Sequence, residues 1–250
     1  MAKQRGIVKF EGTMGDITFL KTKDGFMAKE VSRVSKERIM TDPTYKRTRE
    51  NMADFRTAAQ TAKTLRLSLS TIVSNMKGER LSSRLFRAIY GVMKTDAVNP
   101  RGQRSALSGD FTLLTGFEFN GTTPFSKSCM INIPVSVDRV SGEVEFTIPA
   151  LVPDDTLVAP SGATHFQFVT GAVEVDFVTG NFVRDRQQTA ILPLGTAATV
   201  ATSLTNVLTP NGTLPLFAGI GIQFFQEHNS VMYKFNDRSF NAFTISVVDA

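Results

Sequence analysis

In GEVEFTIPAL, residues 142–151, Val144, Phe146 and Ile148 alternate with Glu143, Glu145 and Thr147. Successive side chains of a strand point to opposite faces, so this stretch predicts a strand with one apolar and one acidic face. Its neighbours share the grammar. FTLLTGFEFN (111–120), KSCMINIPVSV (127–137), THFQFV (164–169), AVEVDFV (172–178), TAILPL (189–194), LPLFAGIGIQFF (214–225), SVMYKF (230–235) and FNAFTISVV (240–248) are short runs rich in Phe, Val, Ile and Thr. Gly, Pro, Asn and Asp separate them. Eight or nine strands at spacings of about 8 to 15 residues predict an antiparallel β-sandwich, jelly-roll or Ig-like. The many Phe fit its core better than a nucleic-acid stacking surface, because most lie at alternating strand positions.

Upstream the pattern differs. EGTMGDITFLKTKDGFMAKE, residues 11–30, reads as two strands folded about Lys23-Asp24-Gly25, a β-hairpin at the front of the chain. A two-stranded hairpin alone is marginal in water, so Ile17, Phe19 and Phe26 need a cover, from this chain or from a neighbour. Residues 31–40 read as a connector. Thr41-Asp42-Pro43 is a helix start: Asp accepts from first-turn N–H groups and Pro is tolerated at the first helical position. Met52, Phe55, Ala59, Ala62, Leu65, Leu69, Ile72 and Met76 then recur at helical spacing, with an end predicted at Lys77-Gly78. A second helix over residues 79–94 follows closely enough to predict an antiparallel αα-hairpin. Residues 95–110 have the composition of a linker or long loop. The chain is therefore expected to be α+β.

Charge divides the same way. Residues 1–104 hold 22 Lys+Arg against 10 Asp+Glu, and residues 105–250 hold 6 against 13, giving +12 and −7. The expected organisation is a basic N-terminal module, 1–104, and an acidic all-β domain, 105–250. Such asymmetry suits an acidic or polyanionic partner, or attraction between the two parts. Arg80, Arg84 and Arg87 step along the second helix, with Arg56, Lys63 and Arg66 on the first. They read either as a solvated face or as a contact for phosphate or an acidic protein surface.

Reactive chemistry is sparse. The sequence holds one Cys and two His, so an intrachain disulfide or a thiolate metal cage is excluded. Neither a Gly-x-Ser-x-Gly elbow nor a phosphate-binding loop occurs, and Gly219-Ile220-Gly221 lies in an apolar run with no helix after it. Ser161 and His165, with Asp154 and Asp155 upstream, come nearest to a catalytic set, but a structural His165 at a strand start fits better. Neither Asp154-Asp155 nor His228 beside Glu227 has metal-ligand spacing, so no metal, cofactor, catalytic residue or small-molecule substrate is predicted. Cys129 reads as a small buried hydrophobe. No apolar run approaches the roughly 20 residues of a membrane helix, and MAKQRGIVKFEG has no apolar secretory core. The expectation is cytoplasmic synthesis and no membrane partner, with a final place in a particle or extracellular assembly left open.

GTMGDITFLKTKDGFMAKE, TDPTYKRTREN, NPRGQRSALSGDF, GATHF and FNAFTISVV together resemble a family of uncharacterised proteins from Bacteroidetes-type bacteria. The resemblance spans nearly the whole chain but rests on Gly, turn and charge motifs, and it implies no functional residues. Three function classes follow from the residues. First comes a non-enzymatic structural protein that self-assembles, as virion, tail or filament subunits do, with Ile17, Phe19 and Phe26 as contacts. Second is a nucleic-acid-binding protein using the basic helices. Third, and weakest, is an enzyme using His165 and Asp154 or Asp155.

Overall fold

The computed structural model describes residues 1–31, 34–76, 78–235 and 240–250. With 25% helix, 33% strand and antiparallel pairing throughout the described strands, the chain is α+β. It divides into two compact units, Met1–Asn51 and Met52–Ala250. The charge boundary at Arg104 falls inside the second unit.

The first unit holds four strands, β1 (Ala2–Lys3), β2 (Gly12–Met14), β3 (Ile17–Thr22) and β4 (Gly25–Glu30), in the order β1-β4-β3-β2. Gly15 (φ 55°) and Gly25 (φ 107°) sit where the chain reverses, in backbone conformations that a side chain disfavours. A short helix, α1 (Lys36–Thr41), occupies part of the expected connector, with Ser35 Oγ accepting from Arg38 N at 3.1 Å. Asp42 Oδ1 accepts from Thr44 N at 2.9 Å, and a 3₁₀ turn, Pro43–Tyr45, leads into α2 (Lys46–Ser68).

In the second unit α2 stops at Ser68, ten residues short of Gly78; Lys77 of the predicted end lies outside the described residues. Ser68 and Ser70 hydroxyls donate back to Leu65 O and Leu67 O, and the following Thr71, Ile72 and Val73 are weak helix formers. The helical spacing of apolar residues nevertheless persists, because Leu69, Ile72, Val73 and Met76 remain buried in the turns that follow. Helix α3 (Leu81–Lys94) buries Leu81, Leu85, Ile89, Val92 and Met93. Phe55 of α2 meets Phe86 and Tyr90 of α3 edge-on, with ring centroids 5.9 and 4.9 Å apart.

Two further helices are single turns, α4 (Phe125–Ser128) and α5 (Pro153–Thr156). The remaining strands are β5 (Val135–Asp138), β6 (Glu143–Ile148), β7 (His165–Val175), β8 (Phe182–Gln188), β9 (Leu192–Pro193), β10 (Thr202–Val207), β11 (Leu216–His228), β12 (Val231–Lys234) and β13 (Ala242–Asp249). Three form a small sheet, β10-β6-β5; the other six form a sheet centred on β7 and β11, with β13 on β11 and β9 on β7. This larger sheet is a curled half-barrel.

Several sequence expectations change here. Residues 164–178 hold one long strand, β7, rather than two runs parted at Gly171. FTLLTGFEFN is a 3₁₀ turn, Phe111–Leu114, followed by irregular chain that lies along β13 about the bridge Glu118–Thr244: Gly116 N and Phe119 N donate to Ile245 O and Phe243 O, and Phe117 O accepts from Ile245 N. Cys129 lies just beyond α4 and makes one bridge, to Leu157.

Both faces of the half-barrel are buried. Val169, Val173, Phe217, Phe243 and Ile245 join a core with α2, α3, Phe111 and Phe119. Phe166, Phe168, Ala172, Ile220, Ile222 and Phe224 join Val144, Phe146 and Ile148 of β6 in a second core. Gly171, Gly219 and Gly221 alternate with the second set and so face the first. A Cβ on Gly221 would stand 2.5 Å from Met76 Sδ, so Gly171 and Gly221 let the turns after α2 lie close to the sheet, while Gly219 makes room for the Phe243 ring. Residues 95–110 are not a linker: Asp96 accepts from Val98 N, Asn99 N and Ser105 N at 2.9–3.0 Å, and Asp54 Oδ1 on α2 accepts from Gly102 N at 3.0 Å.

The helices and strands that split the charge are therefore one unit. Residues 52–104 carry 10 Lys+Arg and 3 Asp+Glu, +7, which cancels the −7 of residues 105–250. The net +5 of the chain resides in Met1–Asn51, with 12 Lys+Arg and 7 Asp+Glu.

Candidate assembly surfaces

No described residue of Met1–Asn51 is buried. The register of its sheet pairs Ile17 with Glu30 and with Met14, Phe19 with Ala28 and with Gly12, and Lys21 with Phe26. Directly opposed residues share a face, so Met14, Ile17, Phe19, Phe26 and Ala28 lie together on one side. Phe10 packs on Phe19 with ring centroids 5.6 Å apart, and Lys21 Nζ stands 5.6 Å from the Phe26 ring. Met14, Ile17 and Phe10 are exposed, and Phe19 and Phe26 are half-buried. Ile17, Phe19 and Phe26 thus share one face with Lys21 and Glu30, and none of them is buried.

Between β1 and β2 the chain makes a bend with Ile7 and Val8 exposed at its tip. Its base is fastened: Lys9 Nζ donates to Gln4 O and Gly6 O, each at 2.6 Å, while Phe10 N donates to Gln4 Oε1 at 2.9 Å.

The six basic helix residues do not form one surface feature. Arg56, Lys63, Arg80 and Arg87 are exposed, whereas Arg66 and Arg84 are half-buried. Arg84 donates to the main-chain oxygens of Glu118 and, at 3.4 Å, of Phe119, and its guanidinium lies 5.4 Å from the Phe117 ring. Its donors hold the loop against α3. Glu118 beside it accepts from Phe125 N at 2.8 Å; burial pushes its carboxyl above the ordinary carboxylate range.

The nearest thing to a catalytic set is not assembled as one. His165 Nδ1 is 2.9 Å from Thr164 Oγ1 and its Nε2 is 3.9 Å from Glu227 Oε2, and no hydrogen bond joins it to Ser161, Asp154 or Asp155 among the described residues. Nor, among those residues, do three of His, Cys, Asp and Glu gather as a metal site. No helix among them is long and apolar enough to cross a membrane.

Sequence reasoning missed two polar clusters that fix the second unit. Arg139 Nη1 donates to Glu174 Oε1 at 3.1 Å and to Leu214 O at 3.0 Å, while its Nε and Nη2 reach Asp249 Oδ2 and Asp249 O, each at 2.7 Å. Glu174 is 2% exposed, so one arginine both neutralises a buried carboxylate and ties down the end of β13. Asp185 on β8 accepts from Gln187 Nε2 and from Val207 N, each at 3.0 Å, linking β8 to β10. Burial works against its charge, yet these bonds hold its carboxyl below the usual range. A lone Arg139 in a turn and a polar β8 gave no periodic signal.

Where β8 and β10 are linked, the opposite edges, β5 and β13, stand apart. Between them lies an open groove of about 690 Å³ lined by Phe125, Cys129, Ile131, Ile133, Val135 and Val247, with Ser126, Asn132 and Ser246 among its polar groups. Burial pushes the Cys129 thiol up to about 11. No family model matches this chain, and no match was found among curated proteins or solved structures.

Proposed function

We propose that this is a non-enzymatic structural protein that self-assembles, with Met1–Asn51 as its assembly arm and Met52–Ala250 as its body. One observation carries the reading: a four-stranded sheet gathers Met14, Ile17, Phe19 and Phe26 on one face, while no described residue of its unit is buried. A small sheet with an uncovered apolar face gains its stability from whatever covers that face. A second copy is the cover always at hand. On this reading the body is a β-sandwich of jelly-roll or Ig-like plan with an αα-hairpin packed on it, made in the cytoplasm and placed in a virion, tail or filament. Kinship with the uncharacterised Bacteroidetes-type family belongs to the same proposal.

The second reading, nucleic-acid binding, is favoured by the net +5 of the arm and by the exposure of Arg56, Lys63 and Arg87. Light scattering after size exclusion, at low and high salt, separates the two. The assembly reading expects the full chain to form oligomers without nucleic acid, and a chain lacking residues 1–41, which keeps the Asp42 cap, to be a folded monomer. A full chain that stays monomeric at high concentration would sink it.

A further inference from the structure

We propose that the groove between β5 and β13 receives the Ile7-Val8 tip of the β1–β2 bend from a second copy of this chain. The inference rests on the assembly reading and adds to its sheet face a second contact, made by the tip of the same unit.

Shape and polarity come first. The groove is open and uncharged: Phe125, Ile131, Ile133, Val135 and Val247 give it apolar walls, and it presents about as much polar as apolar surface. One bordering strand offers an open edge: among the described strands β5 pairs only with β6, whereas β13 is paired with β11 and is hydrogen-bonded at Phe243 and Ile245 by residues 116–119. An uncharged recess of mixed polarity beside the open β5 edge can take apolar side chains together with an extended main chain. The Ile7-Val8 tip supplies such side chains. Both side chains are exposed, and the bend beneath them is already closed by Lys9, Gln4 and Phe10, so little chain ordering remains to oppose docking.

Charge selects the same pair. The first ten residues carry Lys3, Arg5 and Lys9 and no acidic residue, which places a base on each side of the tip. On the β5 side of the groove the exposed face of the small sheet carries Asp138 directly opposite Glu143, with Glu145 two residues further along β6. Like charges opposed across a sheet repel, and among the described residues Glu143 and Glu145 form no ion pair. Lys127 on α4 is the one base in the segment that leads into β5. A basic-flanked apolar tip entering this uncharged groove, with an acidic face on the same small sheet, satisfies both surfaces at once.

The test uses the full chain. Ile7→Asp with Val8→Asp in one variant, and Val247→Asp in another, are each expected to weaken self-association at least about tenfold by sedimentation equilibrium, the loss of one apolar anchor. Combining them should add little further. Should Val247→Asp fail to fold, a cysteine pair decides instead. In a Cys129→Ala background, copies carrying Val8→Cys are mixed with copies carrying Met130→Cys and oxidised, and a crosslinked pair of unlike copies is expected. Association that is lost on deleting residues 1–41 yet indifferent to the tip and groove variants, or no unlike crosslink, overturns the groove and leaves the assembly reading standing. A full chain that never associates overturns both.

Discussion

Ile72 Cγ2 lies 2.5 Å from the place a Cβ on Gly171 would occupy. The turn after α2 thus packs on the centre of the half-barrel through a gap that only glycine leaves. Gly171→Ala should destabilise the body by about 1–3 kcal/mol through overpacking. Ile72→Ala should cost about 2–5 kcal/mol through its cavity. In the double variant the alanine methyl enters the vacated space, so urea midpoints should show a combined loss smaller than the sum by about 1 kcal/mol or more. Strict additivity would mean that the contact does not govern the packing.

The same pair shows what the sequence could reveal. Gly171 reads as punctuation between THFQFV and AVEVDFV, yet it lies inside one strand because its missing side chain serves a neighbour 99 positions away in number. Strand β6 is legible because one face meets the core and the other meets solvent, which is what alternation records. Strands β7 and β11 are buried on both faces, so their runs show composition but no period. Strand β8, FVRDRQQ, was invisible because it is a polar edge. Of the candidate site, Ile17, Phe19 and Phe26 are legible as apolar hairpin residues needing a cover, but their common face depends on the register Lys21–Phe26 across the turn. The groove is not legible, since its walls come from α4, the irregular chain over 129–134, the start of β5, β11 and β13.

Arg139 should be the costliest single loss at the β13 end. Arg139→Ala leaves Glu174 buried without its cation and frees Asp249, with an expected cost of about 3–5 kcal/mol. Arg139→Met combined with Glu174→Gln removes the charge imbalance and should recover a substantial part of that loss. Denaturant titration of the three proteins checks the order.

Asp96 makes the body sensitive to acid. Hydrogen bonds from Ser105 N, then Asn99 N, hold its carboxyl well below the usual carboxylate range. A folded-state pKa below the unfolded one contributes stability that is complete above the unfolded value, about 4, and is lost as pH falls toward the folded one. Asp96→Asn, which has one acceptor oxygen in place of two, should therefore lower the urea midpoint clearly at pH 7. The gap to the unaltered protein should narrow steadily from pH 5 to pH 2. A gap independent of pH would assign the effect to packing.

Cys129 should be slow toward thiol reagents although it borders the groove. The residue is 3% exposed and its thiol is pushed up to about 11, so at pH 8 only about one part in a thousand is thiolate. Reaction with a chromogenic disulfide should be slow in buffer and fast in denaturing urea. Rapid native labelling would show that the residues around it open readily.

Arg84 and Arg87 stand three positions apart on α3 with opposite expected behaviour. Arg84→Met removes the donors to Glu118 O and Phe119 O and should cost about 1–3 kcal/mol, since only Phe119 O keeps a second donor, Gly78 N. Arg56, Lys63 and Arg87 are exposed, and changing each to Ala should stay within about 0.5 kcal/mol. Retention on an immobilised phosphate polyanion then separates the functional readings. Because the net +5 belongs to Met1–Asn51 and the body is neutral, deleting residues 1–41 should lower the eluting salt concentration more than the Arg56, Lys63 and Arg87 triple variant does. If the triple variant instead abolishes retention and the deletion leaves it intact, the helices are the working surface, and nucleic-acid binding displaces assembly as the better account.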